Sequence, residues 1–263
     1  MIPRAFIFEW QKSAPWQTNA QIEQDLVIER ALIELFSNDV IRENLAFRGG
    51  TAIHKLYLKP QVRYSEDIDL VQIYPRPINP VMVEIRKAMM FLGAKRDTKQ
   101  NNRMNTIVYR FDTEIAPIIK SRLKIEINCR EHLSVLGFKK MNHSINNSWF
   151  SGSSEIITYE AEELLGTKLR ALFQRSKGRD LFDLYYALDN IKPDCDKILH
   201  CYREYIKHSD GRAKTAKEIM LNLDEKMNDP DFLGDIKALI RPEIKYDIQK
   251  AYQIVKVELI EKI

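Results

Sequence analysis

Arg63-Tyr64-Ser65-Glu66-Asp67-Ile68-Asp69-Leu70-Val71 stands shortly after Phe47-Arg48-Gly49-Gly50-Thr51. Read as an extended strand, it puts Ser65, Asp67 and Asp69 on one face and Ile68 and Leu70 on the other, because side chains alternate along a strand. The two aspartate α-carbons would sit about 6.6 Å apart. At an effective dielectric near 20, two carboxylates at roughly 6 Å repel by about 3 kcal/mol. A divalent cation between them reverses that sign. Mg²⁺, a hard ion that takes oxygen ligands and leaves room for substrate phosphates, is the expected occupant.

Gly49-Gly50-Thr51 follows the apolar run Leu45-Ala46-Phe47 and precedes a helix-like stretch from Ala52 to Leu58. Glycine permits positive φ and close approach by a ligand, and the amides of a helix's first turn offer an anion site. Alone, a Gly-Gly pair before a helix is usually a turn. Placed just before Asp67 and Asp69, it becomes a candidate cradle for phosphate. It is not a Walker loop, since the chain lacks the Gly-x-x-x-x-Gly-Lys spacing.

If two metal ions clamp the attacking and leaving oxygens of an in-line displacement, a third carboxylate is expected. Leu123-Lys124-Ile125-Glu126-Ile127-Asn128 supplies it, with Leu123, Ile125 and Ile127 on one face and Lys124, Glu126 and Asn128 on the other. Glu126 is the third candidate ligand. The plain alternative is a strand glutamate that faces solvent or pairs with a lysine.

The order Gly49-Gly50-Thr51, then Arg63-x-Ser65-x-Asp67-Ile68-Asp69-Leu70, then Lys124-Ile125-Glu126-Ile127-Asn128 resembles the polymerase-beta-type nucleotidyltransferase superfamily. Glu163-Leu164-Leu165-Gly166-Thr167-Lys168-Leu169-Arg170-Ala171-Leu172-Phe173-Gln174-Arg175 and Lys177-Gly178-Arg179-Asp180-Leu181-Phe182-Asp183-Leu184 narrow the resemblance to the AbiEii/AbiGii family of bacterial nucleotidyltransferase toxins. The resemblance spans residues 45 to 190. It implies a metal-dependent transfer of a nucleoside monophosphate from an NTP, with tRNA 3′ ends as acceptor in some members and an antitoxin, of winged-helix type, as partner. Carried over, Gly49, Gly50, Thr51 and Ser65 hold the nucleotide, Asp67 and Asp69 bind metal, and Lys168 and Asp180 serve the nucleotide and the architecture of the site. Asp183 competes with Asp180 for that last role. Two Mg²⁺ ions are implied, with Mn²⁺ as the alternative.

Independently of that likeness, Leu165, Leu169, Leu172 and Ser176 follow helical spacing, with Lys168 and Arg175 seven apart on an adjoining face. Lys168 is expected to neutralise triphosphate charge. Arg170 and Arg175 read as a solvated face. Gly178 reads as the break before a second amphipathic run through Leu181, Leu184, Tyr185 and Leu188, with Asp180 near its start as a site residue, a helix cap or a salt-bridge partner.

Forty-four per cent hydrophobic and 30% charged residues over 263 positions describe an ordinary globular chain with room for one large or two modest domains. No apolar stretch approaches the roughly 20 residues that cross a bilayer, and the N-terminus lacks a signal peptide's uninterrupted apolar region, so a cytoplasmic location is expected. Cys129, Cys195 and Cys201 form an odd set without metal-like pairing, which argues against zinc and for reduced thiols. The net charge of +4 is too mild to diagnose nucleic-acid binding. Lys95 to Arg103, Lys139-Lys140 and Arg170 to Arg179 are nevertheless candidate paths for an RNA backbone.

Gln21 to Phe36 reads as an acidic amphipathic helix, Asn79-Pro80 through Leu92 as a helix stopped by Gly93, and Thr106 to Phe111 as a strand. The expected fold is α+β: a nucleotidyltransferase core over residues 1–157, with a small mixed sheet flanked by helices, and a helical domain over residues 158–263, the site lying in a cleft between them. In the expected chemistry Asp67, Asp69 and Glu126 bind the metal ions, and Glu126 is also the candidate proton acceptor. A small-molecule or protein hydroxyl as acceptor, and a catalytically silent nucleotide-binding module, are the alternatives.

Overall fold

Thr18 and Gln21 form a reciprocal capping box, each side chain taking the other's backbone N–H, which satisfies two of the four donors that a helix start leaves orphaned. The chain is described by a computed structural model over residues 2–210 and 214–263. It divides into two compact units.

The first unit comprises Met1–Ala52, Arg63–Leu133 and Phe138–Tyr159. Its elements are α1 (Arg4–Gln11), α2 (Asn19–Phe36), α3 (Asp39–Asn44), β1 (Leu45–Arg48), α4 (Gly49–Ala52), β2 (Asp67–Gln72), α5 (Asn79–Ala88), β3 (Arg96–Gln100), β4 (Met104–Asp112), β5 (Lys120–Asn128), β6 (Phe138–Asn147) and β7 (Phe150–Tyr159). The strands form one seven-stranded mixed sheet in the order β3-β4-β5-β2-β1-β7-β6. β2 runs parallel to β5, and β1 parallel to β7. Register follows from burial: Ile68, Leu70, Leu123, Ile125 and Ile127 are enclosed, whereas Asp67 and Asp69 remain partly exposed. A slip of one residue would drive the acids into the core.

The helix expected over Gln21 to Phe36 is there, but its acids do not form a solvated face. Glu23, Asp25 and Glu29 are buried together with Ile22, Leu26 and Leu32. Each acid has a partner to offset its desolvation. Asp25 accepts from the Trp10 indole at 3.0 Å, Glu29 meets His143 Nε2 at 2.5 Å, and Glu23 accepts the Glu114 backbone N–H at 2.9 Å.

The second unit comprises Ile53–Val62, Ser134–Gly137 and Glu160–Ile263. It contains a π-helical turn (Ile53–Tyr57), α6 (Ala161–Gln174), α7 (Gly178–Asn190), α8 (Cys195–Asp210), α9 (Ala216–Lys226), α10 (Pro230–Gly234) and α11 (Ile248–Glu258). α6 crosses α8 at Gly166, where a β-carbon would lie 2.8 Å from Cys201 Cβ and 2.9 Å from the Ile198 carbonyl. Cys201 is fully enclosed there, and burial pushes its thiol up to about 12. Buried Glu163 accepts the Val135 and Leu136 backbone N–H groups, both at 2.8 Å, and the Tyr205 hydroxyl at 2.8 Å. Lys226 donates to the Leu172 and Phe173 carbonyls at the end of α6, groups that the helix itself leaves unpaired. Gly178 is the first residue of α7 rather than the end of α6, which stops at Gln174, and a β-carbon at Gly178 would collide with the Phe232 carbonyl. Among the described residues no helix is long and apolar enough to cross a membrane.

Glu23 carries a pH consequence. Burial raises its carboxyl from the ordinary value to about 7, so the folded state holds a proton that the unfolded chain has lost, and stability falls as pH rises from about 4.5 to 7. Glu23→Gln keeps an acceptor for the Glu114 amide and removes the ionisation. It is expected to raise the melting temperature at pH 8 by several degrees, at about 2–4 °C per kcal/mol for a chain of this size, and to change it little at pH 5. Thermal melts at the two pH values check this.

Candidate functional site

Parallel pairing of β2 with β5 sets Asp67 opposite Lys124 and Asp69 opposite Glu126. All four side chains lie on the sheet face away from Ile68 and Ile125. Lys124 Nζ sits 3.0 Å from Asp67 Oδ2 and 2.9 Å from Glu126 Oε2, joining the two acids. Partial burial works against the lysine's charge, but its hydrogen bonds to Glu126 and Asp67 outweigh that and hold its pKa above the ordinary value. It is therefore an ammonium at neutral pH. Among the described residues no three His, Cys, Asp or Glu side chains are gathered, as they stand, in a way that could hold a metal ion. The donors present are nonetheless oxygen-only and share one face. The ammonium between two of them marks a position where a cation is stable. A hard divalent ion fits this chemistry.

The glycine turn is pressed onto that face. Gly49 has φ +78°, and a β-carbon there would collide with the Asp69 carboxylate, with Asp69 Cγ only 3.1 Å away. Thr51 Oγ1 donates to the Asp67 carbonyl at 2.7 Å, so in its 2.5 Å contact with Ser65 Oγ the serine must be the donor. Thr51 and Ser65 are buried and tie the turn to the start of β2. Arg48, opposite Asp69 on β1, pairs with Glu131 at 3.1 Å, which also accepts from Asn128. Gly49, Gly50, Thr51, Ser65, Asp67, Asp69 and Glu126 thus all belong to the first unit, around β1, β2 and β5.

Lys168, Asp180 and Asp183 lie in the second unit and meet one another. Lys168 Nζ is 2.7 Å from Asp180 Oδ1 and 2.9 Å from Asp183 Oδ2. Arg175 grips both oxygens of Asp180, and His54 Nε2 contacts Asp183 Oδ1 at 2.8 Å. The two aspartates are therefore joint partners of one lysine. Asp180 is the third residue of α7 and not its cap, which is Lys177. Burial alone would raise the Asp180 carboxyl, but the charges and hydrogen bonds of Lys168 and Arg175 outweigh it and hold it below the usual carboxylate range.

The solvated face expected for Arg170 and Arg175 forms at Arg175, which is exposed, and not at Arg170. Arg170 is buried over the Tyr205 ring at 5.1 Å, and Arg175 is bound to Asp180. In the same cluster, Arg179 pairs with Asp235 at 3.0 Å. Unforeseen from sequence were Lys124, whose place beside Glu126 was legible but whose strand partner was not, and His54, which carries no motif.

A mixed sheet with two clustered acids on β2 and a third on β5, beside a glycine turn, is the nucleotidyltransferase fold. MenT4, a nucleotidyltransferase toxin from Mycobacterium tuberculosis H37Rv, is similar to this chain with a TM-score of 0.69 at 16% identity, covering 100% of this chain and 91% of its own. A protein of H. pylori described as a nucleotidyltransferase gives a TM-score of 0.52 at 20% identity, over 93% of this chain and 96% of its own. No curated protein sequence matches. Residues 30–253 match the nucleotidyl transferase AbiEii toxin family of type IV toxin–antitoxin systems. The chain belongs to that family and is a nucleotidyltransferase.

Two outcomes are expected from this geometry. Gly49→Ala forces a side chain into a left-handed position, at about 1–2 kcal/mol, and displaces the Asp69 carboxylate. Its urea midpoint should fall accordingly, and an unchanged midpoint would show that the turn does not press on Asp69. Asp180→Asn leaves Lys168 and Arg175 without their shared carboxylate and should cost about 3–5 kcal/mol. Because the Asp180 pKa is depressed, its contribution is present above about pH 4 and lost as pH falls through the lowered value. The wild-type acid unfolding limb should therefore be steeper than that of the variant in a urea series from pH 6 to 2.

Proposed function

We propose that this protein transfers a nucleoside monophosphate from an NTP to the 3′-terminal hydroxyl of a tRNA. It would act in the cytoplasm as the toxin of a pair whose antitoxin is a winged-helix protein. Membership of the AbiEii family supports the transfer and the pairing. The observation that carries the site assignment is the shared cation of Asp67 and Glu126, on adjacent parallel strands, with Asp69 in register beside them.

In this reading Asp67, Asp69 and Glu126 hold Mg²⁺, and Gly49, Gly50 and Thr51 present backbone N–H groups to the triphosphate. When bound, the metal supplies charge neutralisation and lowers the pKa of the acceptor hydroxyl. Ser65, tied to Thr51, fixes the angle at which the turn meets β2. Glu126 accepts the proton of the hydroxyl that attacks the α-phosphorus, and pyrophosphate departs as the bond between the α-phosphorus and the bridging oxygen breaks. Lys168 and Asp180 keep the part that the family motif implies, the nucleotide and the architecture of the site, and Asp183 shares it through Lys168. Alignment and charge complementarity account for most of the acceleration.

Incubation with Mg²⁺, labelled NTPs and total tRNA tests the reading. The wild-type protein should label tRNA, and an Asp67→Asn/Asp69→Asn double variant should do so at least about 100-fold more slowly, the scale of losing a group that stabilises transition-state charge. Equal labelling by both proteins would end the proposal.

A further inference from the structure

Lys124 is the one base among the four charged side chains that the β2–β5 register gathers on one face. Without it, Asp67 and Glu126 would face each other with no cation between them. Its Nζ contacts two of them, at 3.0 and 2.9 Å, with its own side chain 25% exposed. An ammonium with oxygen neighbours on two sides occupies the kind of place a small cation takes, and it is tethered by four flexible methylenes that let it leave.

The geometry points to Lys124 as a resident counter-cation that holds Asp67 and Glu126 together when no metal is bound and competes with the divalent ion for the same oxygens. This rests on the metal-site reading above. Two consequences oppose each other. The lysine keeps the acids at a shared separation and suppresses their repulsion, which preorganises the site. It also has to be displaced from those oxygens before an ion can take them, which weakens intrinsic metal affinity. The protein then binds a bare ion poorly and binds well only when an anionic ligand gives the displaced ammonium a new partner. A triphosphate is such an anion. Lys124 is thus a positioning residue that makes metal uptake depend on nucleotide.

Mn²⁺ binding, followed by paramagnetic resonance of the free ion, tests this without catalysis. Wild type, Lys124→Met, Lys124→Gln and the Asp67→Asn/Asp69→Asn variant are compared, each checked for folding by circular dichroism, with and without a nonhydrolysable NTP analogue. Loss of the lysine should tighten Mn²⁺ binding in the absence of nucleotide by about tenfold, equivalent to about 1.4 kcal/mol. It should also shrink the tightening that the nucleotide produces. If both lysine variants bind Mn²⁺ as weakly as the wild type or more weakly, while the aspartate variant binds none, the counter-cation role is overturned and the metal site stands. If the aspartate variant binds Mn²⁺ like the wild type, or no variant binds it, the metal-site reading fails and this inference falls with it.

Discussion

The parallel register between β2 and β5 governs the site. Ile68 and Leu70 on one strand and Ile125 and Ile127 on the other are enclosed, and the observed alignment keeps all four on the core side, which a one-residue slip would undo. That alignment leaves Asp67, Asp69, Lys124 and Glu126 no choice but to share the opposite face. The apolar side of the sheet thereby dictates the electrostatics of the polar side. Hydrophobic burial, at about 25 cal/mol per Å², overrides a repulsion of a few kcal/mol between acids, and Lys124 removes part of that repulsion. Gly49 completes the arrangement, since any side chain at its α-carbon would strike Asp69.

The second unit solves a different problem. It encloses Lys168, Asp180, Asp183 and His54, charges that would be costly alone and are tolerable only in mutual contact. Lys168 bridges both aspartates, and Arg175 closes the chain from a more exposed position. Glu163 behaves likewise, gathering the Val135 and Leu136 amides and the Ser134 and Tyr205 hydroxyls around one carboxylate. Such networks fix geometry more than they add stability, because each partner loses hydration as it gains a contact.

What could be read from the chain followed periodicity. Alternation in Asp67 to Leu70 and in Leu123 to Asn128 reported two half-buried strands because one face of each meets the core. The signals of Asn79, Pro80 and Gly93 bracketed a helical segment, observed as α5 and the short 3₁₀ turn Met89–Leu92. The β6–β7 hairpin was not legible, since its inward residues include His143 and Asn147 beside Ile145, which blurs the alternation. Buried acids misled the reading of α2: Glu23, Asp25 and Glu29 look solvated until Trp10, Glu114 and His143 arrive from distant parts of the chain. The same limit hid the contact between Lys124 and Asp67, 57 positions apart by their numbering. Strand pairing of that span leaves no local trace. The basic segment from Arg170 to Arg179 reads as a candidate path for an RNA backbone, and its arginines also meet Tyr205, Asp180 and Asp235, contacts that the local sequence does not announce.

The crossing of α6 and α8 has a use outside the chemistry of the site. Cys201 lies where the two helices touch through Gly166, enclosed and with its thiol pushed up to about 12. Almost no thiolate exists there at neutral pH, and no reagent reaches the sulfur while the helices remain together. Modification of Cys201 must wait for the helices to part. The rate at which it is captured by an alkylating agent therefore times the breathing of this helix pair, a stopwatch already present in the native chain.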